Sequence, residues 1–277
     1  MCGMCGVVDI SGGDLNSGIE AMTATLTHRC PDGTGVWTDE AAGVAPGHRR
    51  LAIFDLSPSG HQPLVSHEGR CVITFSGARY NFQDIRRELV LSGAFFRGHS
   101  DTEVMLESFS FWGVSATVRR LVGIFAIALW DREERTLTLI RDQIGVKPVY
   151  WRRFGTLLLF GSELKALRAR SGCVAVLDRD SASGFLRRSY VPGPGTIDRG
   201  IFKQPPETAM TFSQGCEPII DCYWDLRSVV TSGRISRETS SLSPEEIVDQ
   251  LEALLRDAIG RQMVSDVPLG AFFVWGD

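Results

Sequence analysis

MCGMCGVVDI at residues 1–10 and GIFAIALWD at 123–131 are the stretches that decide the fold class. The first is apolar and β-branched-rich from Cys2 to Ile10, and Ser11-Gly12-Gly13 stops it, as a turn ends a short strand. The second has no polar face between Gly123 and Trp130, the pattern of a strand covered on both sides. Thr156 to Phe160 repeats that pattern, and Val72 to Phe75 and Leu137 to Arg141 read as further strands. Helical spacing joins Ile19, Met22 and Leu26 within Gly18 to Arg29, and Phe82, Ile85 and Leu89 within Asn81 to Leu91. Thr102 to Trp112 reads as another helix. An all-helical protein is excluded; stacked sheets with flanking helices are expected.

The texture changes from Tyr190. YVPGPGTIDRGI at 190–201 is rich in Pro and Gly and reads as loop. Thr231 to Leu242 has the Ser/Thr/Arg composition of a linker. Ser243-Pro244-Glu245-Glu246 then offers a capping box with Pro at the first helical position. The helix it opens carries Ile247, Leu251, Leu254, Leu255 and Ile259 on one face, and Val267 to Phe273 follows as a buried-strand pattern. A second domain is expected to begin near residue 240.

The whole chain has 277 residues, a net charge of −4, 43% hydrophobic and 22% charged residues. That balance excludes disorder, collagen-like repeats and a disulfide scaffold. The mild acidity argues against a nucleic-acid partner held through phosphates. The longest apolar run, Leu121 to Trp130, is too short for a bilayer, and the N-terminus lacks the pattern of a secretory signal. Seven cysteines at irregular spacing fit a reducing cytoplasm.

Cys2 is the sharpest chemical feature. Once Met1 is removed, Cys2 carries a thiol and a free α-amine, and an α-amine with a pKa of roughly 7.7–8.0 is a usable base near neutrality. One residue then supplies nucleophile and base together. The alternatives are a frayed second residue, or a Cys2-x-x-Cys5 half of a metal site or redox pair. A zinc site wants a second such pair, and Cys30, Cys71, Cys173, Cys216 and Cys222 supply none.

Longer blocks carry a resemblance. The MCGMCGVVD start, HRCPDGTG at 28–35, GHRRLAIFDLSPSGHQPL at 47–64, SDTEV at 100–104 and GIFAIALWD at 123–131 are similar to the N-terminal domain of glutamine-dependent asparagine synthetases. RDQIGVKPVYW at 141–151, GSELKAL at 161–167, YVPGPGTI at 190–197 and SDVPLGAF at 265–272 continue the resemblance in order. It implies an α+β fold of the N-terminal-nucleophile class, a four-layer αββα sandwich over residues 2–225. A linker at 226–242 and the truncated start of an ATP-pyrophosphatase-type α/β domain at 243–277 would follow. The implied reaction is hydrolysis of L-glutamine to glutamate and ammonia, with ammonia passed to an ATP-dependent conversion of aspartate to asparagine.

Carried over by residue, the resemblance makes Cys2 the nucleophile that forms a glutamyl thioester. Arg50 would hold the glutamine α-carboxylate, Leu51, Ala52, Ile53 and Phe54 would line the pocket, and Asp101 would pair with the α-ammonium. The plainer readings are a surface cation beside Arg49 for Arg50, and a helix N-cap before Thr102-Glu103 for Asp101. No cofactor or metal is implied for the glutaminase half; ATP and Mg belong to the synthetase half. A separate synthetase chain is a candidate partner, no membrane partner is implied, and the oligomeric state is left open.

The family pattern fails in two places. Its Asn-Gly-Glu motif reads Ser76-Gly77-Ala78 here, before Tyr80-Asn81. Ser76 has a shorter reach than Asn toward the oxyanion, where loss of one donor costs about 2.7–4 kcal/mol. Ala78 removes a carboxylate expected near the substrate ammonium. The second failure is the end, Phe273-Val274-Trp275-Gly276-Asp277, where the family continues with Leu-Ser-Gly-Gly. A one-base shift of a coding sequence compatible with this tail spells Leu-Ser-Gly-Gly-Ile, so a frameshift is expected, against a deliberately short protein. The rival functions are a weak or inactive glutamine-binding remnant and an amidotransferase of another biosynthetic pathway.

Overall fold

Alternation along the strands builds the molecule in layers. The computed structural model describes residues 2–9, 14–53, 55, 57, 60–239 and 242–270, apart from the side chains of 237–239. In chain order the elements run β1 (Gly3–Asp9), α1 (Leu15–Ala24), β2 (Gly33–Val36), β3 (Val44–Arg50), β4 (Leu64–Val65) and β5 (Cys71–Arg79). Then come α2 (Phe82–Leu91), α3 (Asp101–Val118), β6 (Gly123–Asp131), β7 (Thr136–Arg141), β8 (Tyr150–Phe154), β9 (Leu157–Gly161) and α4 (Leu164–Arg168). The chain continues through α5 (Arg179–Arg188), β10 (Phe202–Lys203), β11 (Thr208–Phe212), β12 (Ile219–Cys222), α6 (Leu226–Thr239) and α7 (Pro244–Gln262).

Two six-stranded antiparallel sheets result, ordered β10-β8-β9-β1-β3-β2 and β12-β11-β7-β6-β5-β4. In β6, Phe125, Ile127 and Leu129 turn to one side and pack with Phe82, Ile85 and Leu89 of α2 and Met105 and Phe109 of α3. Ala126, Ala128 and Trp130 turn to the other and meet Met4 of β1 and Leu158 and Phe160 of β9 between the sheets. Cys5, Val7 and Leu159 face outward again, against Ile19, Met22 and Leu26 and against Leu167 of α4. The order is helices, sheet, sheet, helices. The expected αββα sandwich and the expectation that β6 and β9 are covered on both faces are both met. Each large apolar side chain so buried contributes about 1.5–3 kcal/mol relative to exposure.

Local boundaries differ from the sequence reading for identifiable reasons. The helix expected from Gly18 begins at Leu15, because the Asp14 side chain caps it by accepting from the Ser17 N–H at 3.1 Å. It ends before Arg29, where the Thr25 and Thr27 hydroxyls donate to the carbonyls of Met22 and Ala24 and the backbone tightens to three-residue turns. The helix expected to stop at Trp112 runs on to Val118 across a break at Gly113, which sits at φ 76°. Gly113 absorbs a left-handed conformation that a Cβ would resist.

After residue 225 the chain carries two further helices. The stretch from Thr231, expected to be linker, is helical as far as Thr239. The capping box is present as expected: Ser243 accepts from Glu246 N–H, and Glu246 accepts in turn from Ser243 N–H. Yet the apolar face of α7 is uncovered by the described residues, with Leu254 69% and Ile259 58% exposed. Among the described residues Val267 to Gly270 form no strand, and residues 271–277, with the FVWGD tail, lie outside the described residues.

Candidate active site

Cys2 precedes the first residue of β1, which runs between β9 and β3 in the middle of its sheet. Two side chains fix its carbonyl oxygen: Ser76 Oγ donates from 2.7 Å and Arg29 Nε from 3.2 Å. Ser76 points across the inter-sheet space from β5, so its bond ties the two sheets together at the cysteine. His48, opposite Met4 on β3, makes a second tie by donating from Nε2 to the Phe75 carbonyl at 2.9 Å. Among the described residues its Nδ1 has no hydrogen-bond partner, although the ring is buried.

The Cys2 sulfur is set up as a thiolate. A hydrogen bond from the Cys30 thiol is the largest influence lowering its pKa, and the His48 imidazole and the Leu51 N–H, 3.3 Å from Sγ, add to it. Burial opposes them, and the balance remains well below an ordinary thiol. The same contact, together with burial, pushes Cys30 upward, so Cys30 keeps its proton and serves as donor. Thiolate character of this kind marks a reactive cysteine.

The sulfur opens on a cleft of about 330 Å³. Cys2, Arg50, Leu51, Ile53, Gly77, Ala78 and Asp101 all line it, so most of the residues singled out in the sequence come together. Ala52 belongs to the same loop but spends its N–H on Asp32 Oδ2 at 3.1 Å. Phe54 lies outside the described residues. Ser76 is drawn to the Cys2 carbonyl rather than into the cleft, so its hydroxyl proton is not free for an oxyanion. Gly77 is: Phe125, its partner on β6, sends both its N–H and its carbonyl to Asp142. That pairing turns the Gly77 N–H away from β6, on the side where Gly77 borders the cleft. Glycine is required there, because a Cβ would meet the Ile124 carbonyl oxygen at 2.0 Å.

Arg50 is 8% exposed, which overturns the surface-cation reading. Its guanidinium donates to the carbonyls of Asp55 and, at 3.0 Å, Ser57, and so holds the loop that walls one side of the cleft. Asp101 is not the helix cap; Ser100 is, accepting from Glu103 N–H at 3.2 Å. Asp101 sits one residue inside α3 and is buried, and burial raises its pKa against the opposing charge of Arg79.

Four side chains and one segment escaped the sequence reading. Arg79 is 1% exposed, donates to the Asp101 carbonyl at 2.6 Å, and burial pushes its guanidinium down to about 10. Lys147 lines the cleft from a loop shaped by Asp142, which accepts the N–H groups of Ile144, Val146 and Lys147. Burial and then Arg29 push its ammonium down. Cys30 and His48 flank the sulfur. Finally, Gln262, Val264, Ser265 and Leu269, from the end of α7 and beyond, form an outer wall of the cleft. Asp266 anchors that wall: its N–H donates to the Ile53 carbonyl at 3.1 Å, and its Oδ2 accepts from Asp55 N–H at 2.7 Å. Among the described residues no group of three or more His, Cys, Asp or Glu side chains could hold a metal ion, and no helix is long and apolar enough to cross a membrane.

A double antiparallel sheet between helices, with Cys2 at the head of a central strand, is the architecture of an N-terminal-nucleophile fold. The chain belongs to the glutamine amidotransferase domain family, which it matches over residues 1–224. It is 37% identical over its whole length to asparagine synthetase [glutamine-hydrolyzing] 3 of Bacillus subtilis and 29% identical to asparagine synthetase [glutamine-hydrolyzing] 1 of the same organism. It spans 44% and 42% of the length of those two proteins. The fold is also that of the glutamine phosphoribosylpyrophosphate amidotransferase of Bacillus subtilis, with a TM-score of 0.58 over 80% of this chain and 49% of that one, at 16% identity.

Proposed function

We propose that this domain hydrolyses the side-chain amide of L-glutamine through a Cys2 thioester. The observation that carries the reading is the Cys2 sulfur at the head of β1, 3.3 Å from the Leu51 N–H and facing a cleft that also presents Arg50 and Asp101. Removal of Met1 leaves the Cys2 α-amine beside the sulfur. The sulfur attacks the amide carbon, the Gly77 N–H stabilises the developing oxyanion, and the α-ammonium, carrying the proton taken from the thiol, gives it to the leaving nitrogen as the C–N bond breaks and ammonia departs. Water then attacks the thioester through the same oxyanion geometry and releases glutamate. Arg50 orients the α-carboxylate as a fork suited to it, and Asp101 meets the α-ammonium. Leu51 and Ile53 complete the wall, Ala78 leaves the ammonium with one fewer carboxylate, and Ser76 acts by fixing the Cys2 main chain.

The similarity to asparagine synthetases over the whole chain supports ammonia delivery to an ATP-dependent amidation of aspartate, with residues 2–225 as the glutaminase domain, 226–242 as its junction and 243–277 as the opening of a synthetase part. ATP and Mg would serve that further part, and the glutaminase step needs neither. Seven unpaired cysteines suit the cytoplasm.

Incubation with diazo-oxo-norleucine tests the reading. The adduct is expected on Cys2 alone, in protein that begins at Cys2, and Cys2→Ala abolishes it while the fold stays intact. Because the thiolate is favoured, alkylation by iodoacetamide should hold its rate from about pH 8 to about pH 6, where an ordinary thiol with pKa about 8.5 slows nearly tenfold per unit. Label on Cys5, or an ordinary thiol profile, overturns the assignment.

A further inference from the structure

We infer that Glu163 is a positioning residue for the Cys2 nucleophile, holding Arg29 and, through Arg29, the Cys2 carbonyl. The inference rests on the glutaminase reading and adds to it a residue outside the lining of the cleft. It starts from the strand register. β1 and β9 run antiparallel with Cys5 opposite Gly161. The pairing continues one step past β9, where Ser162 N–H donates to the Met4 carbonyl at 2.8 Å and Met4 N–H donates to Ser162 Oγ at 3.1 Å. The next step brings Glu163 level with Gly3, one residue from Cys2.

At that place the Glu163 carboxylate gathers three nitrogens. Arg29 Nη1 donates to Oε1 at 2.9 Å, His28 Nε2 lies 3.1 Å from the same oxygen, and Lys165 Nζ lies 3.3 Å from Oε2. Of the three, Arg29 carries the contact onward, its Nε donating to the Cys2 carbonyl at 3.2 Å. One planar guanidinium thus bridges carboxylate and nucleophile through a fixed fork of donors. Glu163 immediately precedes α4, yet its side chain makes no capping bond to that helix. Burial works against its charge, but hydrogen bonds from Arg29 and Lys165 hold its carboxyl below the ordinary range, so it stays ionised.

The need for such a clamp follows from the place of Cys2 in the chain. A residue at the N-terminus is tied on one side only and frays unless it is held. Donors on its carbonyl oxygen fix the plane of the Cys2–Gly3 peptide, and with it the Cα from which both sulfur and α-amine branch. Ser76 supplies one donor from the facing sheet and Arg29 another. A free arginine side chain has many rotamers and loses entropy when it settles on the carbonyl; one already bound to Glu163 loses less. Misplacing a reacting group by about 1 Å can cost about 100-fold in rate. With Ser76 still in place, loss of Glu163 should cost about tenfold.

The test measures glutamate release by Glu163→Ala, Glu163→Gln and Lys165→Ala, with amide exchange of Gly3 and Met4 followed in the same proteins. Glu163→Ala should lower kcat about tenfold and leave KM within about twofold of wild type, because the carboxylate supports the nucleophile and does not touch the substrate. Exchange at Gly3 and Met4 should quicken. Glu163→Gln keeps an acceptor for Arg29 and should restore most of kcat. Lys165→Ala removes another partner of the same carboxylate and should match the wild type. Should Glu163→Ala not fold, Glu163→Asp, one methylene shorter, carries the test with a fall of about threefold. Unchanged kcat in Glu163→Ala, a rise in KM at constant kcat, or an equal fall in Lys165→Ala overturns the inference. If the wild type releases no glutamate, the glutaminase reading fails and exchange decides alone: faster at Gly3 and Met4 in Glu163→Ala upholds the clamp, and unchanged overturns it.

Discussion

Helices α2 and α7 have the same kind of sequence and opposite surroundings. Phe82, Ile85 and Leu89 of α2 are at most 9% exposed, whereas Ile247, Leu251, Leu254, Leu255 and Ile259 of α7 are all more than half exposed. The apolar stripe of α2 meets α3 and the outer face of β5 and β6. That of α7 meets nothing among the described residues. An amphipathic pattern therefore specifies a helix and which face seeks cover, but not whether cover is present. The stability of α2 comes from packing; that of α7 rests on its capping box and on Glu252–Arg256 and Asp257–Arg261 pairs, each worth a few tenths of a kcal/mol.

Core truncation breaks or confirms the comparison most sharply. Phe125→Ala, in the strand beneath α2 and α3, should lower unfolding free energy by about 3–5 kcal/mol in urea titrations. Leu254→Ala on α7 should change it by less than about 0.5 kcal/mol. Equal losses would mean that α7 is packed after all. A smaller effect separates the helices by their caps. Ser243→Ala removes the acceptor for Glu246 N–H and should cost α7 about 1 kcal/mol. Faster amide exchange is expected from 244 to 262 with no change in β1, β5 or β6. Faster exchange spread over the sandwich as well would show the two regions fold as one.

The same contrast explains what the sequence discloses. β5, β6 and the outward faces of β1 were legible because their neighbours are supplied by the same chain, so period and burial agree. The strand pattern at Val267 to Phe273 is not realised over its described part, because a buried strand needs partners that the described residues do not provide. The site divides similarly. Cys2, Arg50 and Asp101 are recognisable from blocks of residues. Cys30, His48 and Arg79 act through contacts across the fold, and nothing in the local order of HRCPDG, GHRR or GARY marks which face they take. Ser76 was legible as a site residue, but its direction toward the Cys2 carbonyl depends on how closely the two sheets approach.

The smallest expected effect lies at the place where the two regions meet. Asp266 draws residues 262–269 against the loop at 53–57, accepting from Asp55 N–H and donating to the Ile53 carbonyl. The same loop offers the Asp55 and Ser57 carbonyls to Arg50, so the tail steadies the group that would grip the substrate carboxylate. Asp266→Ala removes one exposed hydrogen bond, worth about 0.5–1.5 kcal/mol, and leaves the Cys2 sulfur and Gly77 untouched. A grip on the carboxylate acts equally on ground and transition states, so KM for glutamine should rise about two- to tenfold with kcat unchanged. Asp266→Asn keeps an acceptor oxygen for the Asp55 N–H and should behave like the wild type. A fall in kcat at constant KM would place the influence of the tail on the chemistry of Cys2. No change in either constant would show that the tail only rests on the cleft, and that the sandwich binds its substrate without help from the helices beyond it.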